Sequence, residues 1–227
     1  MDVARRMAEG GIGEGTIIVA GEQTAGRGRL GRKWLSPQGG SLSLSIILSP
    51  DLAQLPRLNM VASLAVVQSI EKSTGLKPLI KWPNDVLLNG KKVSGILIEN
   101  IFVGSQVKVA IVGIGINIKF DPLSFPEIST IATSLSTESG REISRWQMLR
   151  TLVEEFDQVY QELQAGGPVY ERWLAHVETL GKLVRLKSGD RVEEGYVKSI
   201  DTDGSLVLKH LDGSLITVVA GEVTLCA

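Results

Sequence analysis

The chain has 227 residues, 43% of them apolar, with 24 lysines and arginines against 25 aspartates and glutamates. This composition is typical of one domain with its own core, or of a medium domain with a small appendage, and argues against a wholly disordered chain. The formal charge of −1 argues against a protein held to nucleic acid mainly by net charge, and the single cysteine, Cys226, cannot form an intramolecular disulfide. The sequence shows no secretory leader and no apolar run fit to span a membrane, so we expect a cytoplasmic protein.

Apolar spacing over residues 1–180 predicts helices and strands that do not alternate regularly. Helices are predicted at 2–9, 55–73, 144–166 and 168–179. Strands are predicted at 16–20, 41–49, 79–82, 86–88, 93–99 and 106–118. Residues 119–142 are predicted to be irregular. This order favours an α+β sheet domain.

The chain changes character after Gly181. Short strands at 183–186, 191–200, 206–209 and 215–219 alternate with turns. About 45 residues of this kind suit a small β-barrel. We therefore predict two domains, 1–180 and 181–227.

The segment QTAGRGRLGR, residues 23–32, is the most informative stretch of the sequence. Its glycines match the dinucleotide fingerprint by letter, but no helix is predicted to begin within them, so the match is weak. Between residues 23 and 50 there is no acid, and four cations occur: Arg27, Arg29, Arg32 and Lys33. Alternating glycine and arginine favour a phosphate cradle of backbone N–H groups and guanidinium groups. A solvated basic loop and a nucleic-acid patch are the alternatives.

A second group of polar residues lies in KWPNDVLLNGKKVSGI, residues 81–96. Asp85 has a side chain that can bind Mg²⁺ or accept a proton. Lys92 follows the tight Asn89-Gly90 hairpin signal, so rigid backbone would hold an ammonium that can neutralise charge developing on a phosphate. The alternative is that Asp85 caps a turn and Lys92 protects an edge strand.

The third feature is the sequence GIGIN, residues 113–117, at the end of a long apolar strand. Glycines weaken a central strand unless another group packs closely over them. These glycines would be explained by a flat ring that packs over Gly115 and forms hydrogen bonds along its edge with Asn117. Close packing of a helix over the strand would explain them as well. His176 and His210 have no partner at metal-ligand spacing.

The three segments occur together and in this order in one protein family. GEQTAGRGRLGRKWLSPQGG, KWPNDVLLNGKKVSGILIE, VGIGIN and the C-terminal AGEVTL resemble those of biotin protein ligases, and the resemblance covers essentially the whole chain. It implies a mixed β-sheet catalytic domain of the biotin/lipoate ligase (class II synthetase-like) type, followed by an SH3-like β-barrel. It also implies that ATP, with Mg²⁺ as activator, converts biotin to biotinyl-5′-AMP. Biotin would then pass to a lysine of the biotin carboxyl carrier protein of acetyl-CoA carboxylase.

The resemblance also implies roles for individual residues. Lys92 would contact the biotin carboxylate and the α-phosphate, Arg29 would hold the adenylate phosphate, and Asp85 would position the acceptor lysine, take its proton or assist Mg²⁺. Biotin is expected to contact Gln23, Thr24, Gly26, Arg27, Lys92 and Gly95. ATP and the adenylate are expected to contact Arg27, Gly28, Arg29, Arg32, Trp34, Lys81, Asn84, Lys92, Gly115 and Asn117. Trp34 and Asn117 would meet the adenine.

Two departures from the family pattern and two alternative functions accompany this interpretation. Family members carry Ser-Thr-Asn before the first helix, where this chain has Met1-Asp2, and some carry a basic residue near the position of Cys226.

A lipoate or octanoate protein ligase shares the domain plan, but the arginine loop and KWPND take the biotin-ligase form. A biotin-operon repressor would add an N-terminal helix-turn-helix domain of roughly 60 residues. This sequence has no room for such a domain before Met1, so we expect no DNA binding. A homodimer, common in the family, stays open.

Overall fold

The structure is a computed structural model that describes residues 1–104, 106–119, 121 and 124–226. Within these ranges five α-helices occur: α1 Asp2–Glu9, α2 Leu58–Thr74, α3 Leu135–Ser139, α4 Arg145–Gln164 and α5 Val169–Leu174. The first six strands are β1 Ile17–Ala20, β2 Ser41–Leu48, β3 Leu79–Lys81, β4 Asp85–Leu88, β5 Lys91–Val103 and β6 Gln106–Asn117. The last five are β7 Leu183–Ser188, β8 Arg191–Ile200, β9 Leu206–Lys209, β10 Leu215–Val218 and β11 Glu222–Leu225. No helix in the described part of the chain is long and apolar enough to cross a membrane.

The larger sheet has the strand order β1-β2-β6-β5-β4-β3, and each neighbouring pair of these strands is antiparallel. Two isolated parallel bridges, Ile80 with Val177 and Lys92 with Ala132, make the sheet mixed. The predicted α+β class with a mixed sheet is confirmed. Strands β2 and β6 lie in the interior of the sheet. All eight residues of β2 are buried, although Ser41, Ser43 and Ser45 alternate with its leucines, and the second half of β6 is buried and apolar on both faces.

Helices cover both faces of this sheet. On one face α2 lies between the sheet and the helices α4 and α5, so it is buried on most of its circumference. On the other face α1 places Ala4 and Ala8 against Ile47, Val109 and Ile111. The second face is only partly covered by this short helix, which leaves room beside it for a cleft.

Strands β7 to β11 form the predicted small β domain, a five-stranded antiparallel sheet in the order β10-β9-β8-β7-β11. Its apolar residues, such as Val184 and Leu206, join the same core cluster as α2. The indole N–H of Trp82 donates to the carbonyl oxygen of Gly204 at 2.8 Å. The small domain is therefore packed against the turn that joins β3 to β4.

Three elements differ most from their predicted boundaries, each for a local reason. Helix α2 begins at Leu58 because Pro56 lies in a separate 3₁₀ turn. Helix α5 ends at Leu174 because the backbone of residues 176–178 pairs with Ile80 instead. Strand β5 extends past 99 to Val103 because β6 pairs with it along its whole second half.

The prediction of irregular structure for residues 119–142 was wrong in part, because they include the short helix α3. Ser134 caps this helix by accepting a hydrogen bond from the backbone N–H of Thr137. The parts of that prediction at residues 120, 122 and 123 lie outside the described residues. Strand β11 was present in the sequence only as the motif AGEVTL, without a predicted strand.

Candidate active site

A cleft lies on the α1 face of the large sheet, between the sheet, the loop 23–34 and the small domain. Twelve of the predicted site residues line it: Gln23, Arg27, Gly28, Arg29, Arg32, Trp34, Lys81, Asn84, Asp85, Lys92, Gly95 and Gly115. Thr24, Gly26 and Asn117 are not among the lining residues of the described chain. The sequence motifs, which are up to about 90 residues apart, thus converge on one place.

Lys92 and Asp85 form an ion pair in this cleft, with 2.6 Å between Lys92 Nζ and Asp85 Oδ1. Asp85 begins β4 opposite Gly95, and a β-bulge between Val86 and Leu87 shifts the register so that Leu87 faces Lys92. The Asn89-Gly90 turn is the predicted tight one, since both residues have positive φ, 50° and 77°. The ammonium is half-buried and is also 5.7 Å from the centre of the Trp34 ring.

The floor of the cleft consists of glycines on β5 and β6. A Cβ atom at Gly115 would lie 2.5 Å from Trp34 Cε2, so only glycine lets the indole rest on the strand. The ring over Gly115 in this structure is therefore a ring of the protein itself. Trp34 Nε1 is buried and is one of five buried side-chain nitrogen or oxygen atoms of the described residues without a hydrogen-bond partner. This donor lies against Gly115 and is left unsatisfied by the protein.

Arg29 lies at the start of a 3₁₀ turn that the positive φ of Leu30, 54°, and Gly31, 74°, makes possible. Its guanidinium donates to Asn84 Oδ1 at 3.3 Å and to the carbonyl oxygen of Gly221 at 3.2 Å. Burial lowers the pKa of Arg29, and the nearby carboxylates of Asp85 and Glu222 oppose that shift. These long bonds to neutral acceptors leave the charge available for an anion in the cleft.

The other two arginines of the loop are already paired with acids. Arg27 Nη2 is 2.6 Å from Asp2 Oδ1 and 3.2 Å from Glu99 Oε1, while Glu99 also binds Arg5 at 3.1 Å. Arg32 pairs with Glu222 of the small domain. These partners carried no signal in the sequence, because each is distant from the loop and belongs to another element.

Three predicted residues have structural surroundings instead of cleft contacts. A Cβ atom at Gly26 would lie 2.2 Å from the carbonyl oxygen of Trp34, so Gly26 allows the loop to close on itself. The buried side chain of Asn117 accepts from Ser41 Oγ at 3.5 Å and donates to the carbonyl oxygen of Thr133 at 3.0 Å. Thr24 is exposed to solvent.

Two further observations complete the site. The amino group of Met1 donates to Ser45 Oγ at 3.1 Å, and its sulfur lies over Gly113, which also lines the cleft. Within the described residues, no group of three or more histidines, cysteines or acids is placed to hold a metal ion. His176 and His210 each bond a backbone carbonyl through Nδ1, as ordinary structural histidines do.

Comparison with known proteins agrees with this fold. The profile of the Biotin/lipoate A/B protein ligase family matches residues 5–117, and that of the Biotin protein ligase C terminal domain matches residues 179–225. The chain belongs to this family of protein ligases, and within it to the biotin protein ligases.

Individual relatives support the same placement. The biotin–[acetyl-CoA-carboxylase] ligase of Paracoccus denitrificans is 34% identical, over 94% of this chain and 91% of that protein. The bifunctional ligase/repressor BirA of Bacillus subtilis is 39% identical over 92% of this chain, and the chain spans 66% of the length of that relative. The structure of biotin protein ligase from Aquifex aeolicus in complex with biotin and ATP matches with a TM-score of 0.83 at 31% identity, covering 98% of this chain and 94% of that one.

Proposed function

We propose that this chain activates biotin with ATP to biotinyl-5′-AMP and transfers biotin to a lysine of the biotin carboxyl carrier protein of acetyl-CoA carboxylase. The observation that carries the proposal is the convergence of Lys92 and Arg29 on one cleft, above a floor of glycines and beside Trp34. Family membership supports it, as do the names of relatives that are biotin–[acetyl-CoA-carboxylase] ligases. The related Aquifex structure was determined with biotin and ATP.

In the first step two anions must meet, because a biotin carboxylate oxygen attacks the α-phosphorus of ATP. The new C–O–P linkage forms as the bond to the pyrophosphate oxygen breaks. The ammonium of Lys92 would hold the carboxylate and the α-phosphate together and offset the charge that develops between them. Arg29 would bind the adenylate phosphate with its planar guanidinium, which its weak contacts to Asn84 and Gly221 leave free to rotate toward the ligand.

In the second step the acceptor amine attacks the carbonyl carbon of the mixed anhydride, and AMP leaves. The attacking lysine must lose a proton to become a nucleophile. Asp85 has the carboxylate closest to Lys92 in the cleft and would accept that proton or orient the amine. This role is why we group Asp85 with Lys92 and Arg29.

The nucleotide would bring Mg²⁺ with its phosphates. Mg²⁺ in phosphate-transfer sites is held by one or two carboxylates together with substrate phosphates and water. One carboxylate, Asp85, fits this pattern, and its Oδ1 atom is engaged by Lys92. Mg²⁺ bound there would add positive charge beside the phosphates, while Lys92 and Arg29 hold the reacting oxygens.

The buried Trp34 Nε1 without a partner supports nucleotide binding in this cleft, since a ligand acceptor would satisfy it. We assign the adenine to Trp34 and Asn117 and the biotin to the residues around Gln23 and Gly95. Asn117 would reach adenine only by exchanging its contacts with Ser41 and Thr133.

We place the domain boundary between residues 180 and 181.

Pyrophosphate release tests the proposal. Purified protein is given ATP and Mg²⁺ with biotin, lipoate, octanoate or no acid, followed by a carrier domain or a carrier whose acceptor lysine is replaced by arginine. Biotin-dependent pyrophosphate release and labelling of the intact carrier alone are expected. Release with lipoate or octanoate but not with biotin would replace this function by that of a lipoate-type ligase.

We also propose that the protein acts in the cytoplasm and does not bind DNA. The relatives named bifunctional ligase/repressor make DNA binding the alternative to test, and the formal charge of −1 argues against it. A gel shift with operator-like DNA at modest salt, in the presence of biotinyl-5′-AMP, should show no specific complex. Light scattering with and without the adenylate tests whether two copies associate.

A further inference from the structure

Lys92 lies at a place where the sheet changes partners. Pairing between β5 and β6 extends only as far as Ser94 with Ile116, so β6 does not cover the backbone of Lys92. Residues 131–133 take that place as a short parallel bridge. The N–H of Lys92 donates to the carbonyl oxygen of Ile131 at 2.8 Å, and the N–H of Thr133 donates to the carbonyl oxygen of Lys92 at 2.9 Å. The lysine backbone is thus fixed from outside its own hairpin.

The segment 131–133 is itself held by one carboxylate. Thr133 is buried, and its hydroxyl donates to Glu138 Oε1 at 2.5 Å. The other oxygen, Glu138 Oε2, accepts a hydrogen bond from Asn89 Nδ2 at 2.5 Å. Asn89 lies in the turn that leads into β5, three residues before Lys92. Glu138 therefore connects the turn on one side of Lys92 to the bridging segment on the other.

The position of Glu138 is set by α3. Leu135 anchors this helix in the core, and the Ser134 cap fixes its first turn. The hydroxyl–carboxylate bond is charge-assisted and partly shielded from water, which makes it stronger than the exposed bond to Asn89. Asn117 adds a contact to the carbonyl oxygen of Thr133.

We propose that Thr133 and Glu138 are positioning residues for Lys92, which hold its ammonium where the carboxylate and the phosphate meet. This inference rests on the proposed function, since it assigns a purpose to the placement of Lys92. Neither residue lines the cleft, so they would act only through the backbone of Lys92. A displacement of about 1 Å of a reacting group can cost on the order of 100-fold in rate.

A matched pair of variants separates positioning from general stability. Thr133→Val keeps the shape of the side chain and removes the donor, whereas Thr133→Ser keeps the donor. Thr133→Val should lower the rate of adenylate formation at saturating biotin and ATP roughly ten- to a hundredfold with little change in KM. Thr133→Ser should stay within a few-fold of the wild type. Glu138→Gln keeps one acceptor oxygen, so its rate of adenylate formation should lie between those of the two Thr133 variants. The control is Glu154→Gln on the exposed face of α4.

A second readout does not depend on activity. Hydrogen exchange of the Lys92 amide, followed by NMR, should be faster in Thr133→Val and Glu138→Gln than in the wild type, because its bond to Ile131 loses support. Unchanged turnover together with unchanged exchange in folded Thr133→Val would overturn this inference and leave the proposed function standing. A lower melting temperature with a wild-type rate in the folded enzyme would also overturn it, because the residues would then be structural only. A wild-type chain that releases no pyrophosphate with biotin would instead overturn the proposed function and this inference with it.

Discussion

The two sides of the cleft are held in different ways. On the loop side, Arg27 and Arg32 are held by ion pairs whose arginine side chains are 48% and 64% exposed. On the sheet side, Lys92 is held by backbone pairing on both flanks and by a short ion pair with Asp85, and its side chain is 32% exposed. Each exposed ion pair contributes about 0.2–1 kcal/mol to stability, so the loop can exchange its ion-pair partners at a small cost in free energy.

This difference suggests a division of work between the two regions. A group that must meet a reacting phosphorus in a fixed place is best carried on rigid strands. Groups that must close over a ligand and later release it are best carried on a loop whose contacts are weak. We therefore expect changes on the sheet side to affect formation of the adenylate, and changes on the loop side to affect its retention.

The largest effect is expected for Lys92→Ala. Removing the ammonium that pairs with Asp85 should lower adenylate formation about 10²–10³-fold, the loss typical for one preorganised charge donor. The melting temperature should change far less, because the backbone pairing of residue 92 remains. Pyrophosphate release and thermal unfolding measure the two quantities, and Lys77→Ala, which removes an exposed lysine paired with Glu71, is the control.

Gly115→Ala tests the floor of the cleft. Its new Cβ would lie 2.5 Å from the Trp34 ring, so the indole must leave the strand. Nucleotide affinity, measured by calorimetry, should then fall about tenfold or more through the loss of well over 1 kcal/mol. Gly13→Ala, where a Cβ would meet no other atom within 4 Å, should bind ATP like the wild type. Equal affinities in the two variants would remove Trp34 and Gly115 from the nucleotide site.

Arg29→Gly tests the loop side. Loss of one charge-assisted contact should cost about 1.5–3 kcal/mol, and biotinyl-5′-AMP should dissociate roughly ten to a hundred times faster. Arg29→Lys keeps the charge but not the planar fork and should recover part of the retention. Release of the adenylate into solution can be followed by filtration. Tight retention in the glycine variant would contradict the assignment of Arg29.

The smallest effect is expected for Glu99→Gln, which weakens the pairs of Glu99 with Arg27 and Arg5. Activity should change no more than a few-fold, because these pairs are partly exposed. Hydrogen exchange across 24–33 should increase in the ligand-free variant, and biotin with ATP should reduce it in both proteins. Exchange that biotin and ATP leave unchanged would show that the loop does not close over the adenylate.

Local patterns in the sequence were sufficient to single out the segments that line the cleft. The Asn89-Gly90 turn, the lysine after it and the close-packed Gly115 each follow from short-range rules, and the structure brings them together. Family resemblance added the expected roles, while the two-domain division and the contacts to biotin and ATP stay predictions. The ring over Gly115 belongs to Trp34, which lies 81 positions away in the sequence.

The partners of those residues could not be predicted in the same way. Arg27 and Glu99 are 72 residues apart, and Arg32 and Glu222 are 190 apart, so no local pattern links them. The bridge between Lys92 and Ala132 depends on a segment that the sequence presents as irregular. Asn117 is a further case, because its contacts to Ser41 and Thr133 are set by tertiary packing and not by its motif.

A single-turnover experiment with α-labelled ATP and excess enzyme tests the division of work most directly, since it separates formation of biotinyl-5′-AMP from its dissociation. We expect Lys92→Ala to form adenylate slowly but retain what it forms, and Arg29→Gly to form it at a rate closer to wild type but lose it quickly. The reverse pattern, or equal loss of both properties in both variants, would contradict the assignment of chemistry to the strands and retention to the loop.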